Sequence, residues 1–133
     1  MNFGKILTEK EASSVSGLVL AYVGDAVQSL YVRHQFATSG DFKAGDLHRM
    51  VSSKVNAHQQ ANLAENLFDS LTADEQAIYL RGRNSKSHHK AKNQSGSDYR
   101  KATGFEAVLG YLYLIGNTER ICQLLGDVYE NRG

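Results

Sequence analysis

Leu18-Val19-Leu20-Ala21-Tyr22-Val23-Gly24-Asp25-Ala26-Val27 is apolar on every side and yet carries an aspartate. A carboxylate among Leu, Val and Tyr side chains is costly to bury unless something pairs with it. The glycine before it costs a helix interior up to about 1 kcal/mol relative to alanine. A stretch that accepts both liabilities side by side gains something in return. From Leu18 to Phe36 the period is helical. Val19, Val23, Val27 and Tyr31 mark one stripe, and Leu18, Tyr22, Ala26 and Ser29 the next. Apolar residues on most sides predict a central, buried helix. Arg33 and His34 suit its C-terminal dipole, and Thr38-Ser39-Gly40 stops it.

A second stretch, Phe105-Glu106-Ala107-Val108-Leu109-Gly110-Tyr111-Leu112-Tyr113-Leu114, repeats the pattern: an apolar run, one acid, one nearby glycine. On a helix, Ala102, Thr103 and Gly110 share the face of Glu106 and let another helix approach closely. The expectation is that Asp25 and Glu106 face each other and hold a divalent metal. Such a pair suits a hard cation such as Mg²⁺, which takes oxygen ligands and keeps several waters. The ion would activate water and offset charge on a phosphate. On spacing alone the alternative stays open that each acid makes an ordinary buried ion pair, with Arg33 or Arg100.

Working outward, Thr8-Glu9-Lys10-Glu11 has the form of a capping box, after which Gly17 interrupts. The apolar spacing from Leu47 to about Asp69 favours a helix with one polar face. Thr72-Ala73-Asp74-Glu75 is a second capping box, opening a helix that runs from Ala73 to Leu80 or Gly82. A helix from Tyr99 to Ile115 holds Glu106, with Gly116 placed as its C′ residue. Asn117 or Thr118 caps a last helix packed by Ile121, Leu124, Leu125 and Val128. No strand pattern or repeat is present. The fold class is all-α, one domain over residues 1–133 with about five to six helices.

Charge is concentrated in one place. Between Arg81 and Lys101 seven Lys and Arg stand against Asp98, so this segment carries +6 in a chain whose net charge is +1. Residues 81–97 have almost no apolar content and read as a long basic loop, a length that in compact domains is usually functional or disordered. Arg81, Arg83, Lys86, Lys90 and Lys92 are the candidate contacts to a phosphate backbone. The bland alternative is a solvated loop without a partner. No aromatic signature for base stacking accompanies it.

Other chemistries are excluded. The histidines at 34, 48, 58, 88 and 89 lack zinc-like spacing, and Cys122 is the only cysteine. Cys122 lies among apolar residues and is expected to pack, and no intramolecular disulfide is possible. There is no Gly-rich phosphate loop and no nucleophile elbow. The apolar runs are too short to span a bilayer, so the chain is expected to be cytoplasmic, with no membrane partner.

Tyr22-Val23-Gly24-Asp25-Ala26-Val27 resembles the signature of the ribonuclease III family, and Thr103-Gly104-Phe105-Glu106-Ala107-Val108-Leu109-Gly110 resembles its second acidic motif. The likeness is greater for the bacterial Mini-III subgroup, which has the catalytic domain without a double-stranded-RNA-binding domain. Leu47-His48-Arg49 and Arg81-Gly82-Arg83-Asn84 also look like Mini-III. Larger members carry two further acids, where this chain has Leu18 and Thr103. The resemblance implies that Asp25 and Glu106 bind Mg²⁺ and are catalytic, with the number of ions left open. It implies an endoribonuclease that cuts double-stranded RNA, leaves 5′-phosphate ends and matures precursor large-subunit (23S) ribosomal RNA. It also implies a homodimer formed through the signature helix near Tyr22, Val23 and Val27, and leaves open a ribosomal protein that presents the substrate. Three rivals remain: a non-catalytic RNA-binding or ribosome-assembly protein on the same fold, an all-α nucleotide hydrolase, and a plain helical interaction module. The hydrolase would gather more acids at helical spacing.

Overall fold

Two capping boxes start helices where the sequence places them. The computed structural model describes residues 3–39, 67–85 and 96–129. The expected helix after Leu47 and most of the basic loop, with Lys86, Lys90 and Lys92, lie outside the described residues. Within them every regular element is helical: α1 (Glu9–Ser13), α2 (Gly17–Ser39), a 3₁₀ turn (Phe68–Ser70), α3 (Ala73–Arg83), α4 (Gly96–Leu114) and α5 (Thr118–Tyr129). At α1 the Glu11 N–H donates to Thr8 Oγ1 at 3.0 Å and the Thr8 N–H donates to Glu11 Oε1 at 2.9 Å. Thr72 and Glu75 repeat the exchange at α3, at 3.1 and 3.0 Å. Such caps satisfy N–H groups that a helix start would leave without a partner.

The central helix is α4, not α2 as the apolar pattern of residues 18–36 suggested. From Ala102 to Leu112 every α4 residue except Glu106 is buried. In contrast α2 buries one stripe, Gly17, Leu20, Ala21, Gly24, Gln28, Val32 and Phe36. Val19 is 51% and Tyr22 81% exposed. The reason is steric. At the crossing, a Cβ on Gly24 would run into the Glu106 carbonyl and stand 2.9 Å from the Gly110 nitrogen. A Cβ on Gly110 would meet the Leu20 carbonyl in the same way. The helices touch backbone to backbone, which only the two glycines permit, so the Leu20–Gly24 stripe turns to α4 and Val19 and Tyr22 turn outward.

Helix borders differ from expectation by a few residues. Gly17 begins α2 rather than interrupting it, because Ser16 Oγ accepts from the Val19 N–H at 3.2 Å. α4 starts at Gly96, earlier than Tyr99. Its end is as read: Gly116 has φ +78°, and the Asn117 N–H reaches the Leu112 carbonyl at 2.9 Å, the bond of a glycine-ended helix. Asn117 Oδ1 then accepts from the Arg120 N–H at 3.1 Å and caps α5.

Ile121, Leu124, Leu125 and Val128 are the buried face of α5. Cys122 is exposed, which corrects the expectation that it packs: one residue past Ile121 is about 100° around the helix, off the buried stripe. Glu75 and Arg120 join α3 to α5 through two bonds, Nε to Oε2 at 2.9 Å and Nη2 to Oε1 at 2.8 Å. Among the described residues no helix is long and apolar enough to cross a membrane.

Candidate metal centre and nucleic-acid interface

The glycine crossing sets the site. Because Gly24 lies against the Glu106 backbone, the next residue on α2, Asp25, stands beside the Glu106 side chain. Asp25 is exposed and Glu106 half-buried, so the pair sits at the rim of the helical core with one side open. The two carboxyl groups are close enough to act on each other's ionisation. Burial, and then the charge of Asp25, push Glu106 from 4.5 up to about 9.

No cation balances the pair among the described residues. The ion pairs between described residues, Lys5–Glu11 and Glu75–Arg120, lie away from this site. The alternative of an ion pair with Arg33 or Arg100 is not formed, and both arginines are exposed. Nor do the described residues hold a group of three or more His, Cys, Asp or Glu suited to a metal. What is present is two oxygen-donor acids, a deficit of positive charge and an open side. That donor set fits a hard divalent cation that keeps most of its waters, and fits poorly a metal that wants nitrogen or sulfur.

Behind the pair, Tyr129 receives a hydrogen bond from Gln28 Nε2 at 2.7 Å. Its phenol is pushed up to about 12, chiefly by burial, with Glu106 and Asp25 adding to it and Gln28 opposing it. Sequence reading did not single out Gln28 or Tyr129. The available signal was a polar residue four positions after Gly24, on the stripe that carries Gly17, Leu20 and Gly24.

Arg81 and Arg83 occupy the last turn of α3. Gly82 between them crosses α4 beside the acid: a Cβ there would stand 2.7 Å from Ala107 Cβ and 3.0 Å from Gly104 Cα. The root of the basic segment thus lies within a helical turn of Glu106. Arg81 is already engaged, its Nη1 donating to the Ser13 carbonyl and its Nη2 to the Val15 carbonyl, the latter at 2.6 Å. It fastens the end of α3 to the link between α1 and α2. Arg83 makes only a 3.3 Å contact from Nε to the neighbouring Asn84 Oδ1.

The family profile described as Ribonuclease III domain matches residues 18–117, which include both acids. A Mini-ribonuclease 3 of Enterococcus faecalis is 42% identical over 118 residues, 87% of this chain and 89% of that protein. A Mini-ribonuclease 3 of Thermoanaerobacter is 42% identical over 121 residues, 91% and 85% of the two chains. A crystal structure of a Fusobacterium nucleatum protein superposes with a TM-score of 0.79 at 29% identity, over 88% of this chain and 93% of that one.

Proposed function

The chain belongs to the ribonuclease III family, in its Mini-ribonuclease 3 group, and from that membership we propose that it is an endoribonuclease of double-stranded RNA, built as a single catalytic domain. The observation that carries the reading is the Asp25–Glu106 pair, two neighbouring acids at an open rim with no balancing cation among the described residues. These two residues would hold Mg²⁺, which when bound supplies Lewis acidity to water and offsets charge on phosphate. The chain's own part is placement. The glycine crossing fixes the two carboxylates relative to each other, and exposed Asp25 presents the site to solvent and substrate. Hydrolysis leaves 5′-phosphate and 3′-hydroxyl ends.

Arg81, Arg83, Lys86, Lys90 and Lys92 lie along the RNA backbone, Arg81 also holding the base of the segment in place. A-form RNA offers phosphates and 2′-hydroxyls to such contacts without any need to read bases. Two copies pair through α2. Its outward residues Leu18, Val19, Tyr22 and Leu30 form an apolar face larger than a solvated helix needs to show. The duplex is that of precursor 23S ribosomal RNA in the cytoplasm, with a ribosomal protein as an accessory that presents it.

The test is incubation with duplex and single-stranded RNA, with Mg²⁺ and with chelator, followed by analysis of product ends. Cleavage of the duplex alone, in Mg²⁺ alone, with 5′-phosphate ends, is the expected result. Duplex binding without cleavage would replace the enzyme by a non-catalytic RNA-binding protein on the same fold. Sedimentation as a monomer at cleaving concentrations would remove the dimer.

A further inference from the structure

Arg81 is exposed, and yet its side chain is turned back onto the protein. Nη1 donates to the Ser13 carbonyl and Nη2 to the Val15 carbonyl, the latter at 2.6 Å. Ser13 ends α1, and carbonyls at a helix end need partners from outside that helix. Val15 lies in the link that leads into α2. The backbone of the same turn of α3 is fitted to the start of α2. A Cβ on Gly17, the first residue of α2, would stand 2.5 Å from Ser85 Oγ and 2.9 Å from the Arg81 carbonyl oxygen. Ser85 Oγ in turn donates to that carbonyl at 2.7 Å. The end of α3 therefore has a seat: a glycine against its backbone and a guanidinium fork across the link beside it.

This seat joins parts of the proposed machinery. Asp25 follows Gly17 by eight residues on α2, about 12 Å along the helix axis. Gly82, next to Arg81, rests on α4 at Gly104 and Ala107, and Ala107 adjoins Glu106. Arg83, a proposed phosphate contact, follows Arg81 by two residues and bonds to its neighbour Asn84 at 3.3 Å. The fork thus ties a phosphate contact to the helix that carries Asp25. A displacement of about 1 Å at reacting groups, caused by a remote change, lowers a rate by as much as about a hundredfold.

We propose that Arg81 is a positioning residue: its fork fixes the end of α3 on the start of α2, and so holds Arg83 and the two acids in one register for an RNA strand. This rests on the reading of the chain as a duplex-cleaving ribonuclease. It gives Arg81 a part in the reaction that its charge alone does not supply.

Two variants loosen the seat while every charge is kept. Arg81→Lys retains the cation and removes the fork, an exchange that is not conservative where two acceptors are bridged. Gly17→Ala leaves Arg81 intact and drives a Cβ against its carbonyl. Duplex binding across a salt series, and single-turnover cleavage at saturating duplex in Mg²⁺, are measured well below each variant's melting temperature. In both variants cleavage per folded molecule is expected to fall roughly tenfold or more. Half-saturation by duplex and its salt slope stay at the wild-type values, because the charge that meets phosphate is unchanged. Wild-type cleavage per folded molecule in either variant overturns the proposal, whether or not the melting temperature drops: Arg81 is then a phosphate contact or a purely structural tie. A change confined to half-saturation or to the salt slope overturns it too. If one variant does not fold, the other decides. A wild-type protein that cleaves no duplex defeats the functional reading and this proposal with it, and that outcome shows without either variant.

Discussion

Two glutamates among the described residues are withdrawn from water, and the fold treats them in opposite ways. Glu75, at the start of α3, is pushed up by burial, but the Arg120 guanidinium and the Thr72 N–H more than offset this and hold it below 4.5. Glu106, in the middle of α4, is pushed up by burial and by Asp25 together, to about 9. Glu75 has its cation built in, with two bonds to one guanidinium. Glu106 has a second acid instead. An acid whose counter-charge comes from the same chain is a structural tie. An acid placed against another acid, at an open rim, has no such tie, and under the proposed function its counter-charge is a cation from outside.

Substitutions sharpen or break this contrast. The largest expected effect is at the site. Asp25→Asn should lower duplex cleavage at least about a thousandfold, on the order of 4 kcal/mol of transition-state stabilisation, while the fold and dimer persist. Cleavage near the wild-type rate would erase the distinction between the two acids. Glu75→Gln should act on the other side of the contrast. It leaves the Arg120 guanidinium without its carboxylate and should cost about 3 kcal/mol of unfolding free energy. Cleavage per folded molecule should not change. A rate that drops further than the folded fraction would mean that Glu75 serves the site as well.

The pH dependence separates the pair more finely. In chelator, the unfolded chain releases the Glu106 proton near its ordinary value of 4.5, whereas the folded chain keeps it to about 9. The stabilising contribution of this group is therefore complete below pH 4.5 and lost as pH rises toward 9. The depressed Glu75 does the reverse: its contribution is present above 4.5 and is lost as pH falls through its lowered value. Urea unfolding across this range should show stability declining with pH in the wild type. Glu106→Gln should flatten the decline, and saturating Mg²⁺ should do so too. An equal decline in the variant would show that the proton is not held on Glu106. The smallest effect is expected from Lys86, Lys90 and Lys92. Neutralising each should reduce the salt slope of RNA binding by less than about one per contact, with no change in melting temperature. A slope that stays at the wild-type value would take these lysines off the RNA.

Much of this was legible in local sequence. Thr8–Glu11 and Thr72–Glu75 are complete capping boxes, and Gly116 ends α4 as its position promised. The buried face of α5 follows from four residues at helical spacing. That the two acids would meet was inferred from the glycine beside each of them. The part of α2 that goes inward was not legible. Residues 18–31 are apolar on most sides, so periodicity points in no single direction, and the Gly24–Gly110 contact settles it. Cys122 looked buried because its neighbours are apolar, but a helix turns it away from them. Arg81 looked like one more loop cation. Its two bonds to the carbonyls of Ser13 and Val15 come from a segment far behind it in the chain.

The sequence by itself determined that the chain is helical and where its described helices start and stop to within a few residues. Those properties depend on neighbours within about one turn and on residue type. Only the tertiary structure decided which face of α2 is left outside, which glutamate receives an arginine and which is set against another acid. Burial and charge balance are set by residues brought together from distant parts of the chain, and no local pattern records who the neighbours will be.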